Sequence, residues 1–138
     1  MYEQSKEDAR RPRVLIADDN TDAAETLAIL CRTWGHTVLT AADGLRAIEI
    51  GESFEPRVAV LDLDMPHLNG YQVARRLREK FGATIVLIAL TAWDDTQNSQ
   101  RVRAAGFDHH VIKPGDLDEL RTLMNQTRME SLSQSGRS

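Results

Sequence analysis

The sequence predicts a single α/β domain in which parallel strands alternate with helices. Short apolar runs and amphipathic helical patterns alternate five times along the chain. The runs near residues 14, 58 and 85 are almost unbroken, as is typical of strands that are covered on both faces. The 138 residues suffice for one domain with a proper core and are too few for two ordinary domains.

Five strands are predicted from the apolar runs and from the residues that interrupt them. They lie at about residues 13–17, 37–41, 57–62, 84–91 and 108–113. Each pair of consecutive strands is separated by a helical pattern, and such crossovers are right-handed in nearly all proteins. Repeated strand and helix therefore favour one sheet with helices packed on it.

Five helices are predicted between and after these strands, at about residues 21–34, 44–51, 70–81, 95–105 and 117–128. The first and third have a clear apolar face, which must dock on the sheet. In the first helix this face comprises Ala23, Ala24, Leu27, Leu30, Cys31 and Trp34, and in the third it comprises Val73, Ala74, Leu77 and Phe81.

The residues at the helix ends agree with these boundaries. A short polar side chain at a helix start can accept hydrogen bonds from free backbone N–H groups. The predicted starts are Asn20 or Thr21, Asp43, Asn69, Asp94 and Asp116, the last with Glu119 at capping-box spacing. Glycine is the residue that most easily adopts a left-handed C-terminal conformation. The predicted terminators of the first four helices are Gly35, Gly51, Gly82 and Gly106.

Composition limits the classes of function. The net charge is −4 and the seventeen Lys and Arg residues form no basic stripe, so we expect no nucleic-acid binding by this chain alone. No apolar stretch approaches the length of a membrane span. The single cysteine, Cys31, fits a packing role in a reducing compartment, and we expect a cytoplasmic location. The polar segments 1–11 and 129–138 are predicted to be flexible tails around a domain at 12–128.

Polar side chains stand where four of the predicted strands end. Asp18 and Asp19 follow the first strand, Asp62 ends the third, Thr91 ends the fourth and Lys113 ends the fifth. Ligands of open α/β sheets bind at this edge. Two carboxylates about 4 Å apart repel by roughly 4 kcal/mol at an effective dielectric near 20, so three acids require a counter-ion. Magnesium suits them, because it takes one or two carboxylates together with phosphate oxygens.

Each of these residues also has an ordinary structural interpretation. The Asp18-Asp19 pair alone is typical of a solvated turn or a helix cap, and Thr91 and Lys113 alone are unremarkable at strand ends. Asp62 is harder to explain in this way, since it directly ends a run that looks buried. The joint order of the set favours a site for a divalent cation and a phosphoryl group.

The ordered motifs resemble the receiver domain of two-component response regulators over roughly residues 12–128. They are Ala17-Asp18-Asp19-Asn20, Asp62-Leu63-Asp64-Met65-Pro66-His67-Leu68-Asn69-Gly70, Leu90-Thr91-Ala92 and Ile112-Lys113-Pro114. The resemblance implies a flavodoxin-like fold with a five-stranded parallel sheet in the order 2-1-3-4-5.

The resemblance also implies the chemical roles. Asp62 would be the phosphoacceptor, and Thr91 and Lys113 would contact the phosphoryl group. The implied Mg²⁺ ligands are Asp19, Asp62 and the backbone carbonyl of Asp64, with Asp18 acting through water. The donor would be the phosphohistidine of a sensor histidine kinase or a histidine phosphotransfer protein. The domain would thus catalyse its own aspartyl phosphorylation and dephosphorylation, without turning over an external substrate as a dedicated enzyme.

The implied output is a change in the face formed by helix 4, strand 5 and helix 5, which would contact a downstream protein target or a second copy in a homodimer. Most receivers carry Tyr or Phe three residues before the strand-5 lysine as a rotamer switch. This chain has His110 there, beside His109. The usual coupling between Thr91 and the output face is therefore in question, and a role as a phosphorelay intermediate or phosphate sink is the alternative.

Two further alternatives are enzymatic or ligand-binding. Asp62-Leu63-Asp64 is similar to the nucleophile motif of haloacid-dehalogenase-type phosphatases, but those enzymes usually place it after the first strand and need a longer chain, whereas here it follows the third predicted strand. A flavin-binding flavodoxin would need a phosphate cradle where this chain has Asp18-Asp19-Asn20. A receiver-like interaction module that is never phosphorylated is a further alternative. Its sequence mark would be the loss of Asp62, Asp19 or Lys113, and all three are present.

Overall fold

The computed structural model describes residues 12–65, 67–91, 96–112 and 117–124. These residues form a five-stranded sheet in the order β2-β1-β3-β4-β5 in which every neighbouring pair is parallel. The strands are β1 Arg13–Ala17, β2 Thr37–Ala41, β3 Val58–Asp62, β4 Val86–Thr91 and β5 His109–Ile112. The predicted α/β class and the predicted strand order are confirmed.

Helices cover both faces of the sheet. They are α1 Thr21–Thr33, α2 Gly44–Phe54, α3 Gly70–Phe81, α4 Thr96–Ala104 and α5 at 117–124, with a 3-10 turn at Gly82–Thr84. Buried side chains of α1 and α5 pack on one face of the sheet. Those of α2, α3 and α4 pack on the other. None of these helices is long and apolar enough to cross a membrane.

Three of the predicted helix caps are present. The side chains of Asn20, Asp43 and Asn69 each accept a hydrogen bond from the backbone N–H three residues later, at 3.1, 2.8 and 3.0 Å. In α3 the cap is reciprocal, because the backbone N–H of Asn69 donates to the Gln72 side chain at 3.0 Å. The other two predicted caps lie outside the described residues; they are Asp94 and Asp116.

The prediction that α2 ends at Gly51 was wrong. The helix continues to Phe54 and is ended by Glu55, which has a left-handed conformation with φ 52° and ψ 62°. Gly51 is buried inside α2, and a Cβ there would lie 2.8 Å from Cδ2 of Leu77 in α3. Its small size therefore serves close helix packing. The other predicted terminators do have positive φ; they are Gly35, Gly82 and Gly106.

Other boundaries move by one or two residues. The strand β4 begins at Val86 instead of residue 84, because the Gly82–Thr84 turn occupies the preceding positions. On α1 the buried face contains Ala28, which the pattern did not select, while Ala23 is exposed. Alanine is small enough to occur on the buried or the exposed side of a helix, so the sequence gives little information on which of these two alanines faces the sheet.

A single guanidinium joins four segments at the opposite end of the sheet from the acids. Arg78 of α3 donates to the carbonyl oxygens of Gly82 at 2.6 Å, Ile85 at 2.8 Å and Gly106 at 2.7 and 3.1 Å. It also pairs with the carboxylate of Asp108 at 2.7 Å. These bonds fix the end of α3, the start of β4, the turn after α4 and the start of β5 to one another.

Candidate functional site

Three carboxylates converge at the carboxyl edge of the sheet. Asp18 and Asp19 follow β1, and Asp62 is the last residue of β3. These strands are neighbours with Ala17 opposite Leu61, so Asp18 stands beside Asp62. One carboxylate oxygen from each of the three acids lies within 4.8 Å of the others. The topology thus brings together acids that are more than forty residues apart in sequence.

Two of these acids are buried. Asp18 is 2% exposed and Asp62 is 5% exposed, whereas Asp19 is exposed. A carboxylate oxygen of Asp18 accepts from the backbone N–H of Asn20 at 3.0 Å, and one of Asp62 accepts from that of Asp64 at 3.2 Å. Like charges in such an environment are costly when no cation is near. The donor set is composed of hard oxygens and fits a small divalent cation.

The start of α3 packs against the backbone of Asp62, the candidate phosphoacceptor. The backbone N–H of Gly70 donates to the carbonyl of Leu63 at 3.2 Å. A Cβ at Gly70 would press against the carbonyl oxygen of Asp62 and lie 2.9 Å from Cα of Leu63. Only glycine allows the helix to begin this close to the strand end. The sequence signal was the Asn69-Gly70 pair: Asn69 was predicted as a helix start, whereas Gly70 was interpreted only as part of a motif.

Thr91 lies at the same edge of the sheet. It is the last residue of β4 and is 3% exposed. The register pairs Asp62 with Leu90, so Thr91 stands one residue beyond Asp62 on the adjacent strand. Opposite Thr91 on the other side is Ile112, the last residue of β5. Lys113 follows directly but lies outside the described residues.

The two histidines of β5 differ in their surroundings. His110 is half-buried and stands opposite Ala89, whereas His109 is exposed. Strand alternation places neighbouring side chains on opposite faces, as we expected for this pair. Among the described residues, neither histidine belongs to a cluster that could hold a metal ion.

An aromatic and cationic stack links α3 to α4 near the site. The guanidinium of Arg101 lies 4.1 Å from the centre of the Tyr71 ring, and the Phe107 ring meets Tyr71 edge-on with centres 6.4 Å apart. Tyr71 directly follows Gly70, which touches the backbone of Asp62. The stack was not predicted, because Tyr71 and Arg101 are thirty residues apart and neither stands out in the sequence.

Comparisons with known proteins agree with this geometry. A family model described as the response regulator receiver domain matches residues 14–125. The response regulator MprA of Mycobacterium ulcerans is 36% identical over 122 residues, and the DNA-binding response regulator MtrA of Mycolicibacterium smegmatis is 36% identical over 113 residues. These alignments cover 86% and 82% of this chain. The chain spans about half the length of these relatives, namely 52% and 49%.

Solved structures show the same architecture. The receiver domain of a Francisella response regulator superposes with a TM-score of 0.80 at 29% identity, covering 88% of this chain and 99% of that one. The receiver domain of a sensor histidine kinase from Pseudomonas aeruginosa has a TM-score of 0.76 at 24% identity, covering 86% and 98%. That structure has a magnesium ion coordinated in its active-site cleft. By sequence match and by fold, the chain described here belongs to the response regulator receiver domains.

Proposed function

We propose that this chain accepts a phosphoryl group on Asp62 in a reaction that requires Mg²⁺. The observation that carries the proposal is the burial of Asp62 at the end of β3 with two further carboxylates within 4.8 Å. A donor of matching chemistry is the phosphohistidine of a sensor histidine kinase or of a histidine phosphotransfer protein. Membership of the receiver family supports this class of donor.

The residues present fit the cation that this reaction needs. Asp19 and Asp62 supply carboxylate oxygens, the backbone of Asp64 supplies a carbonyl oxygen, and Asp18 would act through water. A bound Mg²⁺ would offset the charge of the acids and of the phosphoryl oxygens. The exposed position of Asp19 leaves one side of the cluster open to solvent and to an incoming donor.

The chain's own groups would carry the transfer. A carboxylate oxygen of Asp62 forms the bond to phosphorus as the bond from phosphorus to the donor imidazole breaks, and the departing imidazole takes up a proton. The Thr91 hydroxyl would donate a hydrogen bond to the transferred group, and the Lys113 ammonium would neutralise a second oxygen. Because Gly70 fixes the backbone of Asp62, the nucleophile is held in position before the donor arrives.

The output of the proposed reaction is a change in the face made by α4, β5 and α5. The acyl phosphate adds a charge of about −1.5 to −2. In α4, Val102 is the only buried side chain among the described positions 99–104, which suits an element that shifts easily. That face would bind a downstream protein or a second copy. Transfer to a further carrier, with no change in the face, is the alternative output.

The test is labelling by acetyl phosphate with Mg²⁺, followed by intact mass measurement. The wild-type chain should gain one phosphoryl group, and Asp62→Asn should gain none. Asp64→Asn is the matched control: it changes a carboxylate two residues away yet keeps the backbone carbonyl, so labelling should persist. EDTA should prevent labelling of the wild type. Equal labelling of Asp62→Asn would overturn the assignment.

A further inference from the structure

The first residue of α2 touches the loop that follows Asp62. Gly44 is buried, and a Cβ there would overlap the carbonyl oxygen of Leu68 and lie 2.7 Å from Cβ of Leu68. Separations under 3.0 Å are essentially never found for a real Cβ. The close approach therefore requires glycine at position 44, although its φ is unremarkable.

The loop that Gly44 touches carries the proposed carbonyl ligand of Asp64. Its start is fixed by the backbone N–H of Leu63, which donates to the carbonyl of Leu90 at 3.2 Å, and by burial of Leu63 and Met65. Its end is fixed by the capping box of α3. Leu68 lies between these two fixed ends of the loop and packs against Gly44.

The connection between β2 and α2, residues 41–44, also contacts the segment that carries Asp18. The carbonyl of Ala41, at the end of β2, accepts a hydrogen bond from the backbone N–H of Asp18 at 3.0 Å. Asp43 then caps α2 by accepting from the N–H of Arg46 at 2.8 Å. Residues 41–44 thus bridge the segment that carries Asp18 and the loop that carries Asp64, although they supply no ligand of their own.

From these contacts we propose that Gly44 is a positioning residue for the cation site. By letting α2 begin against Leu68, it sets the distance between the β1 acids and the Asp64 carbonyl, and thereby the affinity for Mg²⁺. This inference rests on the proposed function, since it assumes that the acid cluster binds Mg²⁺. A single methyl group at position 44 must displace either the loop or the start of α2.

The chain provides a matched control in the same helix. Gly51 is also buried in α2, and its Cβ would meet Cδ2 of Leu77 at 2.8 Å. That obstacle is the end of a side chain in the α3 packing face, away from the acid cluster. Gly44→Ala and Gly51→Ala therefore add the same methyl group to the same helix, one against the ligand-bearing loop and one against the core.

Calorimetric titration with Mg²⁺ tests the inference without any phosphoryl transfer. Gly44→Ala should weaken Mg²⁺ binding by roughly ten-fold, the low end of effects seen when the supports of metal ligands are removed. Gly51→Ala should stay within about two-fold of wild type. Without Mg²⁺, the amide resonances of residues 63–65 and 67–69 should move in Gly44→Ala and stay in place in Gly51→Ala. In labelling assays, Gly44→Ala should need more Mg²⁺ for half-maximal rate and regain the wild-type rate at saturation.

The outcomes separate the two proposals. Failure of the wild type to bind Mg²⁺ and to be labelled would overturn the proposed function together with this inference. Wild-type activity with equal Mg²⁺ affinity in the two alanine variants would overturn only the role of Gly44. Where Gly44→Ala does not fold, Leu68→Gly removes the side-chain part of the contact, the Leu68 Cβ that faces Gly44, and leaves the backbone carbonyl in place. Its control is His67→Gly, at an exposed loop position whose φ of 69° already suits glycine. Equal Mg²⁺ affinity in these two variants would likewise overturn the inference.

Discussion

Asp19 differs from its two neighbours in the acid cluster because it is exposed while they are buried. Its carboxylate contributes to the repulsion within the cluster and, under the proposed function, binds the ion that relieves this repulsion. The same side chain should therefore lower the stability of the metal-free protein and raise that of the metal-bound protein. An acid that lowers the stability of the metal-free protein and raises that of the metal-bound protein is a metal ligand, whereas an ordinary surface acid affects both in the same direction.

We expect Asp19→Asn to change the free energy of unfolding in opposite directions with and without Mg²⁺. In EDTA the variant should be more stable by up to about 1 kcal/mol, because one repelling charge is removed. For the wild type, Mg²⁺ at about one hundred times its Kd should add roughly 2.7 kcal/mol, and the variant should lose most of this gain. Urea unfolding measures both values.

Asp22→Asn is the control for this experiment. Asp22 is exposed in the first turn of α1 and does not belong to the acid cluster. Its negative charge favours the helix start, so its loss should lower stability slightly in both conditions. A response of Asp19→Asn that matches Asp22→Asn would contradict a ligand role for Asp19.

At the scale of elements, α4 depends on contacts made by α3. The turn after α4 is held at Gly106 by two bonds from Arg78, whose guanidinium also pairs with Asp108. In the middle of α4, Arg101 stacks on Tyr71. The C-terminal end of α4 is thus firmly attached, and movement of this helix should take place about that attached end.

Arg78→Lys should lower the free energy of unfolding by about 1–3 kcal/mol. An ammonium group cannot reproduce the planar fork that donates to three carbonyls and one carboxylate, and unpaired carbonyls are costly. Urea unfolding of Arg78→Lys and of Arg75→Lys measures the difference. Arg75 is exposed on the same helix, so its substitution should change stability by less than about 0.5 kcal/mol. An equal loss of stability in Arg78→Lys and Arg75→Lys would mean that the hydrogen bonds of the Arg78 guanidinium add nothing beyond its positive charge.

At the scale of the whole molecule, two features bear on how far a change at Asp62 would extend under the proposed function. One is the chain of contacts from the Asp62 backbone through Gly70 and Tyr71 to Arg101 of α4. The other is His110, which replaces the aromatic switch of most receivers on β5. The contact chain through Gly70 and Tyr71 could transmit a change to α4 without His110, because it reaches α4 from α3 and not from β5.

Beryllofluoride with Mg²⁺, which imitates the acyl phosphate, should therefore shift amide resonances in residues 96–112 far more than those in α1. The physical reason under the proposed function is that Thr91 would donate a hydrogen bond only to the bound anion, which would give the two states different energies. Two-dimensional NMR measures the shifts, with residues 24–33 of α1 as the internal reference. Shifts confined to the acid cluster would favour the phosphorelay or sink function.

Much of this architecture could be predicted because the responsible signals are local. Strand runs, caps such as Asp43 and the acids at strand ends are each set by neighbours in sequence. Gly51 was misjudged because a glycine that ends a helix and one that allows helices to approach look the same in sequence. The contact between Gly44 and Leu68 and the stack of Arg101 on Tyr71 join distant segments, so no local pattern could predict them. The placement of Lys113 stays a prediction.

Cys31 and Met124 give the protein a built-in probe of how α5 is attached. Their sulfur atoms lie 3.6 Å apart, both residues are fully buried, and burial raises the pKa of the Cys31 thiol to about 12. The thiol can react with a soluble reagent only when the packing around Cys31, which includes its contact with α5, opens, and this chain has no second cysteine that would add to the signal. The rate of thiol modification therefore reports how readily the packing around Cys31 opens, and it can be followed in the native sequence without substituting any residue.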